Sequence, residues 1–167
     1  MSLSPLLSAL RADPAFAQLA EAGKAAVDVS GPPGIRPFAV AALATPECPV
    51  LAVTATEREC AELVAALRSV LPPDQVVDFP AWETLPHERL SPRADTVGRR
   101  LAVLRRFAHP SDSDPTTGPI AVAVAPVRSL LQPLVPGLGD LVPVELHEAD
   151  EADFDEVVAA LAAIAYT

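Results

Sequence analysis

Four short runs rich in β-branched residues, at 27–30, 50–54, 76–79 and 120–125, alternate along this chain with stretches of helical periodicity. No other feature limits the fold as much. Strand–helix–strand repetition pairs strands in parallel through right-handed crossovers and buries the sheet on both faces, so the strands read as continuously apolar. The expected fold class is α/β, an open, mostly parallel sheet flanked by helices. The 57–71 segment places Cys60, Leu63, Val64, Leu67 and Leu71 on one helical face and leaves Glu57, Arg58, Glu59, Glu62 and Arg68 to water. The 93–108 segment sets Val97, Leu101, Leu104 and Ala108 along a stripe ringed by Arg99, Arg100, Arg105 and Arg106. Ser91-Pro92 suits its N-cap and first turn, with Asp95 as a slightly later cap. Residues 3–22 add one or two short helices, with Asp13-Pro14 as cap and first turn.

A length of 167 residues suits one domain, or one domain and the start of another. Half the residues are hydrophobic but only 4% aromatic, so the core must be built from Ala, Val and Leu. A polar excursion at 109–119 reads as a mobile loop. A second break at 133–139 precedes residues 141–146, an acidic stretch and a helix over about 153–165; the domain boundary is placed near Gly137, dividing 1–136 from 137–167.

Cys48 and Cys60 lack the partners of a zinc site or disulfide framework, and both read as buried free thiols. The N-terminus has no basic n-region, Arg11 and Asp13 interrupt its apolar positions, and no apolar run approaches the roughly 18 residues of a membrane span. A cytoplasmic location is expected. The net charge of −10 is uneven: residues 1–56 hold 4 acids and 3 bases, 57–110 hold 8 and 8, and 111–167 hold 10 acids and one base, Arg128. That balance opposes nonspecific nucleic-acid binding, which draws its affinity from clustered cations on phosphates.

Three places invite chemistry. Gly31-Pro32-Pro33-Gly34-Ile35-Arg36-Pro37 follows the first predicted strand and precedes an apolar helix, where a nucleotide-binding domain puts its phosphate loop. A working loop needs backbone N–H donors, a Lys for the terminal phosphates and a Ser or Thr for magnesium. Here Ile35, Arg36 and Pro37 follow Gly34, and three prolines remove backbone donors. The reading is a tight turn, with no cofactor. His87, beside Glu83 and Glu88, lacks the convergent ligands or oriented base of a metal or hydrolytic site, and His109 and His147 stand elsewhere. Arg89, Arg93, Arg99, Arg100, Arg105 and Arg106 form the basic concentration. A solvated or intramolecular role is expected of them, with little direct DNA binding.

Phe79-Pro80-Ala81-Trp82-Glu83-Thr84-Leu85-Pro86-His87-Glu88, followed by Leu90-Ser91-Pro92, Asp95 and Arg100-Leu101, resembles the signature of the transcription-repair coupling factor family (Mfd). UvrB carries a different segment at this place and an intact phosphate loop, so the departure at Gly31 to Pro37 favours the coupling factor. The resemblance covers most of the chain from about Val27 but a small part of the family's full length. It implies an N-terminal, UvrB-like lobe with a degenerate P-loop, RecA-like core over residues 1–136. Residues 137–167 would begin an incomplete UvrA-binding domain. The implied role is a noncatalytic scaffold whose main partner is the rest of its own protein. UvrA, RNA polymerase and ATP-driven DNA translocation belong to regions mostly missing here. Two alternatives are a small nucleotide-binding protein with an atypical phosphate loop at Gly31, Gly34, Ile35 and Arg36, and an independent acidic adaptor.

Overall fold

The computed structural model describes residues 4–21, 26–45, 47–84, 91–111, 117–146, 148 and 151–163. In chain order it contains α1 (Ser4–Arg11), α2 (Pro14–Glu21), α3 (Arg36–Leu43), β1 (Val50–Thr54), α4 (Glu57–Arg68), β2 (Val76–Asp78), α5 (Ala94–Ala108), β3 (Val122–Pro126), α6 (Val127–Leu131) and α7 (Phe154–Ala163). The three strands form one parallel sheet in the order β1-β3-β2, with Val50 opposite Val122 on one side and Val76 opposite Val122 on the other. The α/β architecture expected from the alternation is therefore present, with the most apolar strand, β3, at the centre and buried throughout.

Two of the crossovers explain the layering. The chain passes from β1 to β2 through α4 and returns from β2 to β3 through α5. Crossovers of one hand running in opposite directions put their helices on opposite faces. On the first face, α4 brings Cys60, Leu63, Val64 and Leu67 onto Ala52, Val76, Val122 and Val124, beside Ala41 and Ala42 of α3 and Leu7 and Phe16 of the α1–α2 pair. On the second, Val103 of α5 covers Val77, Phe79, Ala123 and Ala125. Because α5 lies over β2 and β3, the β1 residues on that face, Leu51 and Val53, remain 54% and 51% exposed.

Local chemistry starts and stops these helices, in one place, Asp13, as the sequence indicates. Thr56 caps α4 by accepting from the Glu59 N–H at 3.2 Å, while the Glu59 carboxylate accepts from the Ala55 N–H at 3.2 Å. Asp13 accepts from the Phe16 N–H at 3.3 Å at the start of α2. Arg11 donates to the Ala42 carbonyl at 3.1 Å, tying α1 to the last turn of α3.

Three sequence expectations are corrected. Residues 26–30 form no strand and are exposed throughout, so the run at 27–30 does not feed the sheet. Val27 and Val29 favour an extended chain locally while Asp28 and Ser30 do not, and a strand also needs a neighbour for its backbone groups. The cap of α5 is Arg93, with no side-chain hydrogen bond, rather than Ser91 or Asp95. Cys48 is exposed; Cys60 alone is buried, its Sγ donating to the Val124 carbonyl at 3.6 Å, and burial raises its pKa.

Candidate functional site

The parallel strands share one carboxyl edge, the place where open α/β sheets present their loops. The segment that leaves β2 there is the one with the most distinctive sequence, and it is clamped at nearly every residue. The Phe79 N–H donates to the Val124 carbonyl at 2.8 Å, prolonging the ladder, and Phe79, Pro80 and Ala81 are buried. Trp82 is bracketed by Gln132 just past α6: its N–H donates to Gln132 Oε1 at 2.7 Å and its carbonyl accepts from Gln132 Nε2 at 3.2 Å. The Glu83 carboxylate accepts from the Thr96 hydroxyl, and its carbonyl lies 3.5 Å from an Arg128 nitrogen. The Thr96 bond is the leading cause holding the Glu83 pKa below its ordinary value.

Beneath this corner lies Arg100, 1% exposed. Its Nη1 donates to the Pro80 carbonyl at 2.5 Å, and its guanidinium carbon sits 4.1 Å from the Phe79 ring centroid and 4.3 Å from that of Trp82. Such cation–π contacts are worth about 0.5–2 kcal/mol each, more where water is excluded. Burial lowers the pKa of Arg100. Four residues of the signature, Trp82, Glu83, Arg100 and the half-buried Thr84, thus gather at one corner. Ser91 is exposed, Pro92 is half-buried, and Asp95 pairs with Arg93 at 3.3 Å on the surface. Leu85, Pro86, His87 and Arg89 lie outside the described residues.

The arginine-rich helix differs from its predicted face. The buried stripe of α5 is Thr96, Arg100, Val103 and Arg106, whereas Ala108 is exposed and Val97, Leu101 and Leu104 are half-buried. Arg106 donates to the carbonyls of Gly118 at 2.8 Å and Asp74 at 2.6 Å, fastening the loops that enter β3 and β2. Arg99 pairs with Asp78, and Arg105 donates to the Leu141 carbonyl at 3.0 Å. All four side chains are used internally. Gln132, Thr96 and Arg128 were not singled out from sequence, because an isolated polar residue carries no periodic or motif signal of its distant partner.

At the phosphate-loop position, Gly31, Gly34, Ile35 and Arg36 are exposed, Pro33–Ile35 form a single 3-10 turn, and among the described residues no strand precedes them. Gly34 has nothing within 4 Å of where a side chain would begin. His109 bonds to Asp140 at 2.7 Å on the surface; His147 lies outside the described residues. Among the described residues no cluster of three His, Cys, Asp or Glu side chains is arranged for a metal, and no helix is long and apolar enough to cross a membrane.

The corner at Phe79 to Glu83 is the part of the chain with the most specific resemblance, and comparison with known proteins decides its kinship. No family model matches the chain. Over 157 residues, 92% of its length, it is 48% identical to the transcription-repair-coupling factors of Mycobacterium bovis (strain ATCC BAA-935 / AF2122/97) and Mycobacterium tuberculosis (strain CDC 1551 / Oshkosh). The chain belongs, over these residues, to the transcription-repair coupling factor family. It spans 12% of the length of these relatives. Identity at this level over nearly the whole chain extends the kinship well beyond the signature corner.

Proposed function

We propose that this chain is the N-terminal, UvrB-like lobe of a transcription-repair coupling factor and serves as a noncatalytic scaffold. The observation that carries this reading is the contrast between two corners of the lobe. The Phe79–Glu83 corner is locked by Arg100, Thr96 and Gln132. The Gly31–Arg36 turn is exposed and proline-rich, and residues 26–30 before it form no strand that would aim it at a phosphate. In this reading residues 1–136 form the lobe and 137–167 begin a UvrA-binding-like unit. Gly137, at φ 86°, marks the turn between them. The 78% exposure of Phe154 in α7 accords with a helix whose packing partners belong to that second unit. The longer protein would act in the cytoplasm, recruit UvrA and displace RNA polymerase with a DNA-translocating motor carried elsewhere. The decisive experiment is calorimetry of the purified chain with ATP and magnesium, alongside a phosphate-release assay. Neither saturable binding nor turnover is expected. Micromolar binding that is lost when residues 31–37 are altered overturns the scaffold reading in favour of the nucleotide-binding alternative.

A further inference from the structure

Arg100 and Arg106 are both buried cations on α5, yet they are treated differently. Arg106 spends its donors on loop carbonyls and feels the Asp74 carboxylate. Arg100 places Nη1 on Pro80, but Nε and Nη2 are sealed from solvent with no hydrogen-bond partner among the described residues. Burial lowers its pKa, and no ion pair joins it to a carboxylate among the described residues. Glu83, the acid of the adjoining loop, is engaged with Thr96. An arginine keeps its charge, and buried donors without acceptors are rare in folded proteins.

The two unpartnered nitrogens are not arbitrary. Nε and Nη2 share one edge of the guanidinium and present parallel N–H bonds spaced for both oxygens of an oxyanion. The Phe79 and Trp82 rings press close against the group. A flat acceptor entering in the guanidinium plane displaces them less than a tetrahedral one. We propose that this edge of Arg100 is a binding site for a carboxylate, held under the corner at the carboxyl end of β2. Half-buried Trp82 lies over the guanidinium that would hold it.

Trp82 is the chain's single tryptophan, so its fluorescence reports on the adjoining guanidinium without a label. Sodium acetate is titrated into the purified chain at neutral pH, with sodium chloride holding ionic strength constant. Trp82 emission should change along a saturable curve and the melting temperature should rise. Sodium phosphate should act more weakly. The variant R100K keeps the charge but loses the two-donor edge, and its apparent acetate affinity should fall roughly tenfold or more. An acetate response no different from chloride overturns the site, as does an unchanged midpoint in R100K. Phosphate binding more tightly than acetate overturns the carboxylate assignment. Should R100K fail to fold, the comparison of acetate with chloride on the unaltered chain decides alone.

Discussion

Trp82 contributes more than its ring. Gln132 grips its backbone from both sides while the ring rests on Arg100, so Trp82→Ala removes the lid of the corner but leaves its backbone bracket. Full burial would put the cost at about 3–5 kcal/mol; for a half-buried ring we expect about 2–3 kcal/mol, read as a lower urea midpoint. Glu83 gives the same corner a pH dependence. Its folded pKa is depressed, so its contribution is complete above the ordinary Glu value of about 4.3 and is lost as pH falls through the lower folded value. Acid loosening of the Trp82 signal below about pH 4 should be absent in Glu83→Gln. Gly139 tests packing of the strap after Gly137. A Cβ there would lie 2.9 Å from the Leu104 carbonyl oxygen and 3.1 Å from Ala108 Cβ. Gly139→Ala should therefore cost about 1–3 kcal/mol in thermal unfolding, because the obstructing atom is helix backbone.

Among the elements, α4 is the one whose start and buried face were plain in the sequence, although it ends at Arg68 rather than at residue 71. Thr56 and Glu59 form a reciprocal cap, and Thr56→Ala should lower stability by about 1 kcal/mol in chemical denaturation, whereas Thr56→Ser should be nearly neutral. The strands at 50–54, 76–79 and 120–125 were legible for a related reason: each is apolar, bounded by turn residues and followed by a chain segment able to cover it. The run at 27–30, Val-Asp-Val-Ser, alternates valine with polar residues and has no place in the sheet; local propensity does not encode the presence of a neighbour. On α5 the period was right but the inward face was shifted, because Arg100 and Arg106 were placed beside the apolar stripe rather than in it. The acceptors that admit Arg100 and Arg106 are carbonyls of Pro80, Gly118 and Asp74, each at least 12 residues away. Periodicity ranks side chains by hydropathy and carries no information about such distant oxygens. The corner at Trp82 was recognisable as a motif, but its clamp by Gln132, fifty residues on, was not.

For the whole molecule, the arginines of α5 matter less as a basic surface than as internal fasteners. Arg99, Arg100, Arg105 and Arg106 all bond within the chain, Arg58 pairs with Glu62 and Arg93 with Asp95. With a net charge of −10, little attraction for phosphate remains. Duplex DNA should show no saturable binding to the isolated chain at physiological salt in fluorescence anisotropy; tight, salt-sensitive binding lost when these four arginines are neutralised would contradict this. The uncovered β1 bears on a different property, colloidal behaviour. Leu51 and Val53 lie on an edge strand with a free row of backbone donors and acceptors, a template on which another chain can add. Mutual repulsion between acidic molecules opposes that addition near neutral pH and disappears at the isoelectric point of about 4.6. Turbidity of the isolated chain should therefore peak near that pH and grow with added salt at pH 7, and Leu51→Lys should suppress it without altering the melting temperature.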